Sequence, residues 1–507
     1  MITPPELHLT AVLPIVIVAI GSMAILMGEV FLSRASTVLG RKATDIWVGS
    51  VLGFASMAFL ALALYAAWGA FVGGTTQVFN ASHPLLQLDR FSALISAVVA
   101  LASLLSIALS ISYLAELRIN HGEYYALILL ATTGMMLMVT AIDLLTVFLG
   151  LELMSVPIYV LAGFDRRKLR SNESALKYFL IGSFASALLL YGMALLYGTC
   201  GGTSFAEIRA GLDPSNPMAL IGVGLVIVGF AFKISSVPFH QWTPDVYEGA
   251  PSAVTAFMSV TVKTAAFAAL LRLLLLAFGS LEASLTNVLW VIAALSVVVG
   301  NVMAVIQDNV KRLLAYSSIA HAGYLLIGFV AGTPAGYSAV VFYLIVYMFM
   351  NLGAFAVVVA LANHGKDCER IESFAGLARS RPGLAALMTL FMVSLTGIPG
   401  TAGFMAKFTI FAAAVNAGVI WLTILGVLMS VVSVYYYLRI PVLMYMREPG
   451  EEAPRMEIAT GEALVLIVCA VAVLFLGIFP NDGSIYFFGE IPLLDWARES
   501  LEPLFAS

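Results

Sequence analysis

Charge is what this chain has least of. Lys and Arg number 25 and Asp and Glu 29 among 507 residues, which is 11%, where soluble domains carry about 25%. Hydrophobic residues make up 61%, and the mean hydropathy is +1.00. That balance excludes a soluble enzyme, a secreted disulfide scaffold and a disordered chain. Cysteine is almost as scarce. Cys200, Cys368 and Cys469 lie far apart, and no CxxC or Cys/His ligand spacing exists, which argues against zinc, iron–sulfur clusters and covalent haem. The net charge of −4 and the lack of a long basic run leave no electrostatic footprint for nucleic acid. There is no P-loop, so ATP hydrolysis is not the energy source, and Gly222-Val-Gly224 lacks the third glycine of a dinucleotide fingerprint. Any driving force must come from an ion gradient or from partner subunits.

What the sequence has instead is apolar runs of membrane length. A helix needs about 20 apolar residues to cross a bilayer. Windows of about 19 residues give about fourteen spans, centred near residues 21, 57, 102, 133, 154, 186, 228, 264, 296, 321, 350, 400, 430 and 470. Backbone at membrane depth must satisfy its own hydrogen bonds, so the expected fold class is an all-α polytopic membrane protein. The run from Ala11 to Leu32 has no basic residue before it and is too long for a cleaved signal peptide, so it reads as the first membrane helix. The tail from Ser484 is amphipathic and is expected at the surface.

The few charges fix the topology. Sixteen basic residues fall in odd-numbered loops, among them Arg34, Arg41, Lys42, Arg118, Arg166, Arg167, Lys168, Lys311, Arg312, Arg379 and Arg447. Even loops and the C-terminal tail hold three, Arg90, Arg209 and Arg498. The positive-inside rule then puts odd loops in the cytoplasm and both termini outside. Arg272 and Arg439 lie toward helix ends, where they are expected to snorkel. Four basic residues remain, all of them lysines inside apolar spans: Lys177, Lys233, Lys263 and Lys407.

A charge at mid-bilayer costs about 2.5–3.5 kcal/mol on insertion scales, so four cost on the order of 10 kcal/mol. Inert ion pairing explains one such residue readily and four on separate helices poorly. A buried lysine can also lose its proton and take it back, which arginine cannot. The residue type therefore favours proton transfer over static pairing. A carboxylate is at hand in Glu152, deep in the fifth span, and Lys177 on the antiparallel sixth span is its expected partner in an offset pair.

Two of the lysines accompany helix breaks. Lys233 precedes Pro238, which removes a backbone donor, and Lys407 follows Gly397-Ile-Pro-Gly400. The seventh and twelfth spans thus both look broken, five spans apart, with an intramembrane lysine each. Two five-helix units in that relation have opposite orientations, the pattern of an inverted repeat. The expected divisions are three N-terminal helices (1–122), a first repeat (123–280), a second repeat (281–447), and a last helix with the tail (448–507). His321 in the tenth span and His240 beside Pro238 suit proton relay. No further ligands cluster with either, so no metal is expected.

At Pro238-Phe-His-Gln-Trp-Thr-Pro-Asp-Val-Tyr-Glu-Gly-Ala-Pro-Ser252, and again at Lys311-Arg-Leu-Leu-Ala-Tyr-Ser-Ser-Ile-Ala-His-Ala-Gly323, the chain resembles the antiporter-like subunits of respiratory complex I, the proton-pumping NADH:quinone oxidoreductase. The resemblance covers essentially the whole chain. Trp242 to Pro251 looks like the subunit N branch, the homologues of mitochondrial subunit 2. Lys407, and the lack of room for a long lateral helix, fit N rather than M or L. The resemblance implies a coupling pair at Glu152 and Lys177 and a central proton path at Lys233, Lys263 and Lys407. It implies a place in a bacterial inner membrane and no redox chemistry or cofactor on this chain. FMN, iron–sulfur clusters and quinone would sit on partner subunits. The implied neighbours are subunits of the M and K types and membrane lipids. The family usually has Gly-Ile-Pro-Pro where this chain has Gly-Ile-Pro-Gly400; one proline still breaks the helix. The alternative, a Na+/H+ antiporter or membrane-bound hydrogenase subunit of the same superfamily, shares the helices, and Tyr247 to Pro251 argues against it. A purely structural scaffold would let the buried lysines tolerate Leu.

Overall fold

The computed structural model describes residues 7–38, 44–74, 76–80, 83–362, 369–448, 458–479 and 493–505. Cys368, the loop cations Arg41, Lys42, Lys366 and Arg455, and the start of the amphipathic tail lie outside the described residues. The helices run α1 (Leu13–Val38), α2 (Thr44–Gly73), α3 (Arg90–Leu117), α4 (Gly122–Thr140), α5 (Leu144–Ala162), α6 (Leu169–Cys200) and the short α7 (Phe205–Gly211). They continue as α8 (Pro217–Lys233), α9 (Trp242–Gly249), α10 (Ser252–Leu276), α11 (Glu282–Val305), α12 (Val310–Val330) and α13 (Pro334–Ala360). The last are α14 (Leu377–Ser380), α15 (Pro382–Thr396), α16 (Ala402–Asn416), α17 (Ile420–Met446), α18 (Thr460–Ile478) and α19 (Leu493–Phe505). A small antiparallel ribbon, Gln77–Val78 with Gln87–Leu88, joins α2 to α3.

Among the described residues, twelve helical stretches are long and apolar enough to cross a membrane. They coincide with the apolar runs read from the sequence. The two remaining runs are each split: α8 is separated from α9 by 234–241, and α15 from α16 by 397–401. Both interruptions fall at the prolines the sequence singles out.

Burial sorts these helices from the inside outward. The most apolar window of α12 is 100% buried and that of α13 94%, against 39% for α6 and 33% for α17. The outer helices point Leu169, Trp421 and Tyr65 outward, an arrangement that suits lipid as the surrounding medium. Small residues let the inner helices meet. A Cβ on Gly150 of α5 would lie 2.6 Å from the Met138 nitrogen of α4, and one on Gly323 of α12 would lie 2.7 Å from the Val297 nitrogen of α11. Gly at such contacts is what brings helix backbones close in membranes.

Three surface and edge features follow. Arg272 does not snorkel as expected. It is buried on α10 and forms a two-pronged ion pair with Asp89, 2.8 Å and 3.1 Å, while Asp89 also caps α3 by accepting from the Ser92 nitrogen at 2.8 Å. The capped helix end fixes the carboxylate, and the guanidinium fork matches it geometrically. Arg439, in contrast, does reach the helix edge, where it donates to the Gln307 carbonyl and to Asp308. The tail helix α19 buries Leu493, Ala497, Leu501 and Leu504 against α3 and α13, with Trp496 edge-on to Trp68 at 4.9 Å. Its amphipathic pattern is thus answered by the bundle itself.

Candidate functional site

Lys233 is the last residue of α8, so the break that follows presents it to the interior. The left-handed Ser235, at φ 62°, turns the chain. Two side-chain bonds tie the loop down: the Val237 nitrogen donates to Ser296 of α11 at 2.9 Å, and the Trp242 indole donates back to the Phe232 carbonyl at 3.1 Å. The ammonium sits among the rings of Tyr159, Tyr178 and Phe232, with centroids 5.3, 5.6 and 5.6 Å away, and donates to the Tyr159 hydroxyl at 3.4 Å. Trp242 stacks on Tyr178 at 4.3 Å and closes the cage. Ring faces stabilise a desolvated cation without neutralising it.

Lys263 stands mid-way along α10 and donates to the carbonyl and hydroxyl of Ser318 on α12. One turn further along α12 lies His321. Its Nδ1 bonds the Tyr343 hydroxyl at 2.6 Å and its Nε2 the Tyr437 hydroxyl at 3.1 Å, so both ring nitrogens are engaged. The His321 ring packs against Tyr347 and Tyr324, at 5.2 and 5.9 Å, and those rings face Lys263 and Lys407 at 6.0 and 4.9 Å.

Lys407 belongs to α16 and reaches back across the second break. It donates to the Leu395 and Thr396 carbonyls at 3.1 and 2.7 Å and to Ser430 at 3.0 Å, and it lies 4.9 Å from the Tyr324 ring centre. Those carbonyls are free because α15 stops there, and the C-terminal end of a helix attracts cations. Gly397 and Gly400 take φ of 88° and 89° to make the turn. The proline usual in the family at position 400 could not adopt that angle, so the glycine reflects a differently shaped loop.

The expected Glu152–Lys177 pair does not form. Lys177 bonds Glu173 at 2.8 Å and Asp245 at 2.9 Å, with its side chain 43% exposed. Glu152 instead accepts from Ser186 at 2.5 Å. Ser186 lies nine residues beyond Lys177 on α6, which is about 13 Å at 1.5 Å per residue. Glu152 is therefore too deep for that lysine. Glu152 stands about two turns before Tyr159 on the same face of α5, and Tyr159 is the hydroxyl to which the Lys233 ammonium donates at 3.4 Å. Lys177 belongs to an ionic cluster at the odd-loop ends of the helices. There Asp245 also receives Arg312 at 2.7 Å, Glu248 receives Arg312 at 3.0 Å, and the buried Lys311 donates to the Ala250 carbonyl and to Glu369. Lys311 and Arg312 thus sit in the first turn of α12 rather than in a free loop. His240 lies half-buried in the first break, and among the described residues no hydrogen bond joins it to any of the lysines.

The structure adds polar groups that the sequence reading passed over. Tyr343 and Tyr437 bond His321, Ser318 holds Lys263, and Asn301, Tyr324, Tyr436 and Ser430 continue toward Lys407. The signal available was the pairing Tyr436-Tyr437 with Asn301, polar groups inside otherwise apolar spans. Among the described residues, no carboxylate lies within ion-pairing distance of Lys233, Lys263 or Lys407, which are 2%, 2% and 4% exposed.

A family profile described as NADH:quinone oxidoreductase/Mrp antiporter, TM, matches residues 141–433. The chain is 47% identical over 479 residues to the NADH-quinone oxidoreductase subunit N of Trichlorobacter lovleyi, covering 94% of this chain and 95% of that one. It superposes on a chain of the respiratory complex I of Thermus thermophilus with a TM-score of 0.76, 34% identity, and coverage of 92% and 97%. A chain of the Mrp complex from a Dietzia species gives a TM-score of 0.83 at 24% identity over 98% of each chain, a likeness of fold alone.

Proposed function

The chain belongs to the NADH:quinone oxidoreductase/Mrp antiporter family, in its subunit N branch, and on that premise we propose that it moves protons along Lys233, Lys263, His321 and Lys407, with Glu152 setting the field at Lys233. It is a proton-translocating membrane-arm subunit of an NADH:quinone oxidoreductase. In this reading the flavin, iron–sulfur clusters and quinone act on partner subunits, and this chain carries charge rather than electrons. Its neighbours are the M-type and K-type subunits and the lipid around them. The bilayer is a bacterial inner membrane, with odd loops in the cytoplasm, both termini outside, and 123–280 and 281–447 as inverted repeats.

One observation carries the residue assignment. Among the described residues, three buried ammonium groups lack the carboxylate partner that inert ion pairing would require. Hydroxyls, ring faces and helix carbonyls hold them instead, and these groups accept a proton-bearing amine without trapping it. Moving one charge across about 100 mV takes about 2.3 kcal/mol, a quantity that a change of field at Lys233 can supply. A shift of charge from the quinone site would reach Glu152 first, then Lys233, and so bias the chain of lysines beyond.

A sodium–proton antiporter subunit would use the same helices. The 34% identity to a complex I chain, against 24% to the Mrp chain, favours the oxidoreductase. The test uses the assembled complex in sealed membrane vesicles. Glu152→Ala and Lys233→Ala are each expected to leave the complex assembled and to abolish coupled proton pumping. Full pumping by both variants would overturn the assignment.

A further inference from the structure

Between His321 and Lys407 the interior is bridged by side chains. Starting from His321, Nε2 meets the Tyr437 hydroxyl at 3.1 Å, Ser317 also bonds that hydroxyl, and the Tyr437 and Tyr436 rings pack with centres 4.4 Å apart. Tyr436 donates its hydroxyl proton to Asn301 Oδ1 at 2.9 Å. Asn301 Nδ2 donates to the Tyr324 hydroxyl at 3.1 Å. The Lys407 ammonium lies 4.9 Å from the Tyr324 ring centre and donates to the Ser430 hydroxyl at 3.0 Å. Four helices contribute: α17 gives Tyr436, Tyr437 and Ser430, α11 gives Asn301, α12 gives His321 and Tyr324, and α16 gives Lys407. Asn301, Tyr324, Tyr436 and Tyr437 are at most 1% exposed.

The orientation of Asn301 is fixed by chemistry. Its Nδ2 also donates to the Val297 carbonyl at 2.7 Å. A carbonyl only accepts, so the amide nitrogen must face it, and Oδ1 must face Tyr436. The two hydrogen bonds that join Asn301 to the tyrosines therefore run in the same direction. Tyr436 gives its proton toward Asn301, and Tyr324, which accepts from Asn301, keeps its own proton free to point toward Ser430.

Hydroxyls and imidazoles pass protons by taking one on one side and giving one up on the other. An amide does not do this readily: a proton gained at Oδ1 and one lost from Nδ2 leave the unfavourable imidic acid. We propose that Asn301 is the gate for proton transfer between His321 and Lys407. It aligns the hydroxyls on both sides for transfer toward Lys407 and blocks passage while it stands between Tyr436 and Tyr324. Passage occurs when the amide swings out and the Tyr436 and Tyr324 hydroxyls close on each other. The proton leaving His321 then becomes the Tyr437 hydroxyl proton, each hydroxyl hands its own proton onward, and the Lys407 amine takes the last. This assignment rests on the proposed path through Lys407.

The experiment measures proton pumping per NADH oxidised, and passive proton leak, in sealed vesicles containing the whole complex. Asn301→Asp puts a group at the gate that binds a proton on one oxygen and releases one from the other. It is expected to raise the passive leak and to lower the pumping ratio while NADH oxidation continues. Tyr436→Phe and Tyr324→Phe keep the rings and remove the hydroxyls; each is expected to lose pumping without gaining leak. Tyr124→Phe, an equally buried tyrosine bonded to Ser110 far from this chain, is expected to pump normally. A normal ratio and no leak in Asn301→Asp, or full pumping by both phenylalanine variants, would overturn the gate. Lys407→Gln separates the two readings. If it loses pumping while the hydroxyl variants keep it, the gate fails and the path stands. If it too pumps fully, the path fails.

Discussion

Removing the buried carboxylate Asp89 offers the sharpest test of what holds the bundle together. Its ion pair with Arg272 is enclosed on both sides, with side chains 1% and 0% exposed. Breaking such a pair by deleting one partner costs about 3–5 kcal/mol, because the other charge is left stranded. Asp89 also caps α3, and losing a cap costs typically about 1 kcal/mol. The two contributions separate by choice of variant. Asparagine caps a helix as well as aspartate does, so Asp89→Asn removes only the charge and is expected to cost about 3–5 kcal/mol. Asp89→Ala removes both and is expected to cost about 4–6 kcal/mol. Pairing Asp89→Asn with Arg272→Met takes away the stranded cation and should restore most of the loss, since apolar replacements of buried pairs are often neutral. The readout is the temperature at which this subunit leaves the detergent-solubilised complex. The expected order, from most to least stable, is wild type together with the double variant, then Asp89→Asn, then Asp89→Ala. The reasoning is refuted if Asp89→Asn melts with wild type, or if adding Arg272→Met brings no recovery.

Other expectations concern the odd-loop face and the breaks. Lys177→Ala removes one exposed partner of Asp245 and should cost no more than about 1 kcal/mol. Asp245→Asn leaves Lys177 and Arg312 facing each other without their shared anion, and pumping assays should find it the more damaging of the two. Gly400→Pro restores the usual family residue but forbids a φ of 89°. It should destabilise the second break by more than about 1 kcal/mol, visible as faster proteolysis near residue 400. Outside the membrane, the Ser204 hydroxyl and backbone hold the Glu207 carboxyl below its ordinary range at the start of α7. The cap is therefore complete above the ordinary glutamate value of about 4.3 and fades as pH falls through the lowered one. The protection of the α7 amides, taken as their exchange relative to the intrinsic rate at each pH, should fall only on strong acidification, and a loss already near neutral pH would contradict this.

The helices and their two interruptions were legible because lipid makes apolar length decisive and because Pro238, Pro399 and Gly397 mark where a ladder of carbonyls must end. The burial of Lys233, Lys263 and Lys407 was legible because each lies well inside an apolar run, whereas Lys177 stands at the exposed rim. Partner choice was not. Counting loops makes Lys177 a neighbour of Glu152, but only depth along α5 and α6 shows that they stand at different levels and that Asp245 claims the lysine. Arg272 looked like a snorkelling cation because its partner, Asp89, lies at the start of a helix far away in sequence. The hydroxyls and Asn301 escaped notice because tyrosine and asparagine carry no net charge, so they blend into spans that are otherwise apolar.

Asp245 holds Lys177 of α6 with one oxygen and Arg312 of α12 with the other. It rides on α9, the far half of the helix whose near half ends at Lys233. A carboxylate with two suitors acts as a yoke. The two ion pairs pin α9 to α6 and to α12, and residues 234–241 join that anchored segment to Lys233. An ionic rim thus holds one end of the interrupted segment whose other end is the buried Lys233.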